Sequence, residues 1–356
     1  MSEKLRCGII GFEYGHQGAF AGAMARMADV EVVGVSDLPD ASEAARTRGR
    51  EFAGACGVEY LADYARLLDV GGIDFVSLCI PPLRNPEVVE QMCARGIHVM
   101  SEKPISADAE GAERIAVAVR AAGVRFTFGY HAARFTQPMM RAIEQVGGGA
   151  VGRVRVLNGT LLQCKGPRFT ITEDEARRRV EAGEASVGEL ANFGGYVFLA
   201  MRAFAGAPLR SVYAETDTFF YESYRIASIE DMALVSMEFT NGAVGTAVVG
   251  RTATKSLPNA DSRYEIIGSE GVLHVDFAHG DRFFLWGDYS DDDEYERGGL
   301  DMVSISPASH ELYCRDFVGA IREGREPGLT VDDALEYEAF LAAAHASACT
   351  HEPARL

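Results

Sequence analysis

Strand-like and helix-like stretches alternate through the first third of the chain, and this alternation limits the fold more than any other feature. Residues 5–10, LRCGII, form a short apolar run that stops at Gly11. A small-residue, helix-compatible pattern follows over 18–28, and a second apolar run, 30–35, closes at Ser36 and Asp37. Strand, glycine turn, helix, strand is the βαβ unit, whose parallel strands need a crossover that is almost always right-handed. The rhythm repeats with a strand over 75–80, a helix over 87–95, a strand over 97–100, a helix over 107–122 and a strand over 125–130. Continuous apolar runs such as FVSLCI suit parallel strands covered on both faces. The expectation is an α/β domain over residues 1–128 with a doubly wound parallel sheet of about six strands.

At 356 residues the chain exceeds the roughly 250–300 residues at which a single core stops growing, so a second domain is expected over 129–356. Longer β-type stretches appear there at 154–162, 209–216, 232–239, 243–250, 264–268 and 272–277. They come mostly without intervening helices, and Asn241-Gly242 and Glu270-Gly271 are turn signals. An α+β domain with a large, open, mostly antiparallel sheet follows. The acidic stretch 288–296 reads as a solvated loop, and 310–323 and 331–348 as closing helices that pack back on the first domain.

With 52 acidic against 34 basic residues and a net charge of -18, the chain repels a phosphate backbone, so nucleic acid is not an expected partner. Seven cysteines without a CxxC pair suggest neither a zinc site nor a disulfide framework, and point to reduced thiols in a cytoplasm. No metal site is expected. The start, MSEKLRCGIIG, has no signal-peptide pattern, and no apolar run approaches a membrane span.

In a doubly wound, Rossmann-type domain a dinucleotide pyrophosphate rests on the backbone amides at the first helix's N-terminus, and small residues let the backbone approach it. Gly11 is correctly placed, and the turn continues Phe12, Glu13, Tyr14, Gly15, His16. Glu13 stands where a second glycine is usual, so either the turn is rebuilt around Gly15 with Glu13 turned outward or binding is weakened. An ordinary strand-to-helix turn is the alternative. Asp37 can accept both ribose hydroxyls and repel a 2′-phosphate, which favours NAD over NADP, though Asp also serves as a cap.

The run Met100-Ser101-Glu102-Lys103-Pro104, after a buried strand and before a helix, resembles the Gfo/Idh/MocA family of oxidoreductases. The likeness extends to Asp74-Phe75-Val76 with Ile80-Pro81-Pro82, Gly96-Ile97-His98-Val99, Gly129-Tyr130, Gly152, Ile267-Gly268-Ser269-Glu270-Gly271 and 321–327, nearly the whole chain. The resemblance implies that Lys103 lies between nicotinamide and substrate, polarising the reacting hydroxyl. It implies too that Glu102 holds the loop, that a cis bond occurs at or near Pro104, and that Pro81 lines the cofactor side. It places Asn85 where a histidine is common.

The family's D-x-G-x-H element aligns with Asn192-Phe193-Gly194-Gly195-Tyr196, with Gly206 ten residues on. Asn192 replaces the acid, Tyr196 the histidine, and Leu199 a further acid. Tyr196 becomes the candidate proton carrier if a cation such as Lys103 lowers its pKa; packing between helix and sheet is the alternative. By position, Tyr130, His131, Lys165, Arg168 and Asn192 are substrate candidates; the two cations read equally as surface bases, and His131, a candidate general base, is as a lone histidine at a strand end more often structural. The implied activity is an NAD-dependent dehydrogenase or reductase for a sugar, cyclitol or similar polyhydroxylated compound. A glycosidase or lyase using transient oxidation, and a catalytically degenerate sensor, are the competing readings. A homodimer or homotetramer is implied by resemblance.

Overall fold

The computed structural model describes residues 3–13, 16–163, 171–183, 186–253, 260–276, 282–286 and 307–356. Two compact units divide it: Met1–His131 with Pro307–Glu338, and Ala132–Ser306 with Ala339–Leu356.

In the first unit β1 (Leu5–Ile10), α1 (His16–Ala25), β2 (Val30–Ser36), α2 (Glu43–Cys56), β3 (Tyr60–Leu61) and α3 (Tyr64–Asp69) are followed by β4 (Phe75–Leu78), α4 (Asn85–Cys93), β5 (His98–Ser101), α5 (Ala109–Ala122) and β6 (Phe126–Phe128). The six strands form one sheet in the order β3-β2-β1-β4-β5-β6, with every pairing parallel. Strand order reverses between β1 and β4, where ligands of doubly wound sheets bind beyond the strands' carboxyl ends. Cys7, Ile9, Ile10, Phe75 and Val76 have no exposed surface, which accounts for the unbroken apolar runs. Side-chain caps start the helices: Ser42 Oγ accepts from Ala45 N at 3.2 Å, and Asp108 Oδ1 from Gly111 N at 2.8 Å.

The second unit holds α6 (Gln137–Gly147), β7 (Val154–Gln163), α7 (Glu173–Ala182), α8 (Glu189–Ala205), β8 (Leu209–Asp217), α9 (Glu222–Ile226), β9 (Met232–Phe239), β10 (Val244–Arg251), β11 (Ala260–Gly268), β12 (Val272–Asp276) and β13 (Arg282–Trp286). The chain closes with α10 (Pro307–Glu323), α11 (Val331–Thr350) and β14 (Ala354–Arg355). α10 belongs to the first unit, where Tyr313 and His310 pack on Phe20 of α1 and Phe317 meets Phe75 edge-on. The residues of α11 are shared between the units.

The second sheet runs β13-β12-β11-β7-β10-β9-β8-β14. Its pairings are antiparallel except β7 with β10, which is parallel. Helix α8 packs closely against β7: a Cβ at Gly159 would stand 2.8 Å from Val197 Cγ1, so only glycine fits. Phe198 of α8 stacks on Phe340 with centroids 4.4 Å apart. Between β8 and α9 the buried Asp231 carboxylate accepts the amides of Phe219, Phe220 and Tyr221 at 2.9, 2.7 and 3.0 Å.

The expected strands and helices recur with ends moved by a few residues. α2, β3, α3, α6, α7, α9, β13 and β14 were not anticipated. The acidic stretch 288–296 lies outside the described residues.

Candidate active site

Strand β1 ends in Gly11, whose φ of 83 is left-handed. A Cβ there would come within 2.6 Å of Ile80 Cγ2 and strike the Cys79 carbonyl, so the backbone lies tight against the end of β4. Gly11 N–H donates to Ser36 O at 2.8 Å, Cys79 N–H to Ile10 O at 2.8 Å and Glu13 N–H to Cys79 O at 3.3 Å. Arg48 clamps the turn from α2, its guanidinium donating to Phe12 O at 3.0 and 2.6 Å and to Glu13 O at 3.2 Å.

A cleft of roughly 220 Å³ opens at the strand-order reversal, with Gly11, Glu13, Asp37, Ser42, Pro81 and Arg84 in its walls. Small-molecule sites commonly enclose about 300–1,000 Å³, so this cleft suits one end of an elongated ligand. Glu13 is half-buried, and its Oε2 is 3.5 Å from Ser42 Oγ at the start of α2. Asp37 is buried; Oδ1 accepts from Phe12 N at 3.2 Å and Oδ2 from Tyr60 Oη at 2.9 Å. Burial raises its pKa against the lowering effect of those hydrogen bonds. Arg84 pairs with Asp40 at 2.6 Å beside it.

Strand β5 leads into Glu102 and Lys103, and the Lys103–Pro104 bond is cis, as the resemblance implied. Glu102 N–H donates to Leu78 O at 2.8 Å, and its buried carboxylate puts Oε1 2.7 Å from His16 Nδ1 on α1. Glu102 thus ties the first helix to this loop. Its Oε2 is buried with no hydrogen-bond partner among the described residues. Lys103 Nζ lies 5.6 Å from the centroid of the Tyr130 ring, a cation–π distance. Asn85 is also buried, with Nδ2 donating to Ser101 Oγ at 3.4 Å.

Tyr130 and His131 depart from the expectation that they face a cleft. They are 1% and 0% exposed. Tyr130 packs edge-on against Phe128 and Tyr337. His131 sits 4.5 Å from the His310 ring and edge-on to Phe20, with Nδ1 3.1 Å from Gly129 O. Burial, followed by the charge of His310, pushes its pKa down to about 3, so the imidazole is neutral. The aromatic α10 side chains covering this strand end, His310 and Tyr313, are what a local sequence reading overlooks.

In the second unit Gly188 caps α8, and Glu230 serves its first turn: Leu190 N–H donates to Glu230 Oε1 at 2.9 Å and Glu189 N–H to Glu230 O at 3.2 Å. Glu189 is 1% exposed. Its Oε1 accepts from Arg251 Nε at 2.8 Å and from the Tyr224 hydroxyl, and its Oε2 accepts from Asn192 Nδ2 at 3.2 Å. Burial and then the Glu189 charge raise the Tyr224 pKa, which keeps the phenol a donor. Arg251 lies 5.4 Å from the Phe193 ring centroid. Tyr196 follows Asn192 one turn later and is 7% exposed, Leu199 is 5% exposed, and Gly206 ends the helix.

The first unit therefore gathers Gly11, Phe12, Glu13, His16, Asp37, Pro81, Glu102 and Lys103 at the carboxyl edge of its sheet, while Asn192 and Tyr196 share one helix of the second. Tyr14, Gly15, Lys165 and Arg168 lie outside the described residues. Arg48 and the Glu189–Arg251 pair escaped sequence reasoning, because their partners lie tens of residues away and no motif marks them.

Two family descriptions match the chain: an oxidoreductase family with an NAD-binding Rossmann fold over residues 5–130, and a GFO/IDH/MocA C-terminal domain over 139–274. An uncharacterised protein, y4oX, from Sinorhizobium fredii is 30% identical over 246 residues, which span 68% of this chain and 63% of that protein. A dTDP-3,4-didehydro-2,6-dideoxy-alpha-D-glucose 3-reductase from Streptomyces antibioticus is 28% identical over 91% of this chain and 90% of its own length. Among solved structures, levoglucosan dehydrogenase in complex with NADH and L-sorbose shares the fold with a TM-score of 0.82 at 20% identity, covering 99% of both chains.

Proposed function

The chain belongs to the Gfo/Idh/MocA oxidoreductases, and on that premise we propose that it moves a hydride between a nicotinamide dinucleotide and a hydroxyl-bearing or keto carbon of a sugar, cyclitol or related polyhydroxylated compound. The observation that carries this reading is Lys103, an ammonium at the carboxyl edge of a parallel sheet whose strand-order reversal opens as a cleft. The residues present fit a dinucleotide. The left-handed glycine keeps the turn free of side chain, and the Asp37 carboxylate lies at the end of β2, where ribose hydroxyls are held.

Gly11, Phe12, Glu13, His16, Asp37 and Pro81 would hold the cofactor. NAD is favoured over NADP, since a 2′-phosphate would meet Asp37, with Glu13 and Asp40 lining the same cleft. The bound dinucleotide supplies the hydride acceptor or donor. Lys103 hydrogen-bonds the substrate oxygen and stabilises the negative charge that grows on it. The Tyr196 phenol exchanges the hydroxyl proton, and Asn192 contacts the substrate. Outward-facing Leu234 and Val244, on neighbouring strands β9 and β10, are 51% and 46% exposed, and they support pairing of this sheet with a second copy.

The test is reduction of NAD by purified protein across a polyol panel. Wild type turns over at least one polyol, and Lys103→Met lowers kcat/KM by roughly a hundredfold or more while NADH still binds. A variant as active as wild type overturns the assignment.

A further inference from the structure

The cleft at the strand-order reversal has one wall between Asp37 and Ser42, beyond β2, and another between Cys79 and Arg84, beyond β4. Arg46 of α2 fixes the first wall, its guanidinium donating to Ala41 O at 3.1 Å, Pro39 O at 2.5 Å and Leu38 O at 3.4 Å. Pro81 and Pro82 stiffen the second, which ends in a single helical turn, Pro82–Arg84. An ion pair joins the two walls, with Arg84 Nη1 2.6 Å from Asp40 Oδ2. The Arg84 Nε also lies 4.0 Å from Glu87 Oε2.

The side chains of Arg84 and Asp40 are 34% and 66% exposed. An ion pair that solvent reaches this freely adds little to stability and opens readily. It therefore suits a contact that yields as a ligand enters and leaves, while the two clamped walls keep their places.

The lining decides what such a ligand is. Asp37 marks the place of a ribose. Beside it the walls turn apolar: Leu38 and Ile80 are each 3% exposed, and Pro81 is next to Ile80. A group attached to that ribose meets apolar side chains and a guanidinium that reaches from one wall to the other. A flat heteroaromatic ring satisfies both, because its faces pack on aliphatic carbon and attract a planar cation.

Resting on the dinucleotide part of the hydride-transfer reading, we infer that Arg84 is a binding residue for the purine end of the cofactor: held by Asp40, its guanidinium stacks on the base and latches the adenosine half in the cleft. The nicotinamide half gains nothing from it.

Binding of NADH and of reduced nicotinamide mononucleotide is followed by their fluorescence, and binding of ADP-ribose by calorimetry. Arg84→Ala weakens NADH and ADP-ribose about tenfold, the scale of one desolvated cation–π contact, and leaves the mononucleotide within about twofold of wild type. Stopped-flow displacement places most of the NADH loss in the off-rate. Arg84→Lys keeps the charge without the plane and still weakens both adenosine ligands about fivefold. Asp40→Asn, which lets the guanidinium swing away, weakens them about threefold.

Equal loss for the mononucleotide and for ADP-ribose, full recovery by lysine, or unchanged affinity in Arg84→Ala or Asp40→Asn each overturns the latch while leaving the dinucleotide reading in place. A wild type that binds neither NADH nor ADP-ribose overturns that reading, and the latch with it.

Discussion

Acidification tests the packing around His131 quantitatively. In the unfolded chain an imidazole gains its proton near pH 6.5, whereas in the folded chain the fully buried ring stays neutral down to about 3. Between those values the unfolded state binds more protons, so stability falls as pH falls. From pH 7 to pH 5 the difference spans about one and a half pH units at 1.36 kcal/mol each, close to 2 kcal/mol. For a unit of this size that corresponds to roughly 4–8 °C in Tm. His131→Phe keeps an aromatic ring against Phe20 and Tyr313 and removes the titrating group. Calorimetric unfolding of both proteins at the two pH values isolates the effect as a difference of differences, with the variant losing about 2 kcal/mol less. An equal loss in both proteins, or a histidine resonance for residue 131 titrating near 6.5, would refute the burial argument.

Gly11→Ala combines a left-handed backbone with a methyl group 2.6 Å from Ile80 Cγ2. It should lower stability by about 2–5 kcal/mol in urea titrations, and a loss under 1 kcal/mol would show that the turn yields. Arg48→Ala releases the carbonyls of Phe12 and Glu13, so NADH affinity should weaken about tenfold with the fold retained; an unchanged Kd by fluorescence titration would remove the clamp from the site. Asp231→Ala strands three backbone amides and should cost about 2–4 kcal/mol by chemical unfolding, a figure that near-neutral behaviour would contradict.

The parallel sheet was legible because its strands are covered on both faces and so read as unbroken apolar runs. Gly11, Asp37 and Lys103 were legible because each ends such a run. α2, with the sequence EAARTRGREFAGAC, was not, since charged and small residues leave only Ala45, Gly49 and Ala53 buried. His131 was misjudged for the opposite reason: its position at a strand end suggested a cleft, but α10, nearly 180 residues later, brings His310 and Tyr313 over it. Burial created by distant segments has no local signature. The same holds for Glu189, whose meaning depends on Arg251 and Tyr224.

The parallel pairing of β7 with β10 bears on how the chain is made. β7 leaves the ribosome before both of its sheet neighbours, the first of which begins about 80 residues later. At about 5–20 residues per second the strand waits roughly 4–16 s with both edges unsatisfied. Leu157 and Leu161, buried once the sheet closes, stay open to wrong partners meanwhile, so this is the stretch where recovery of native protein should depend most on chaperones during biosynthesis.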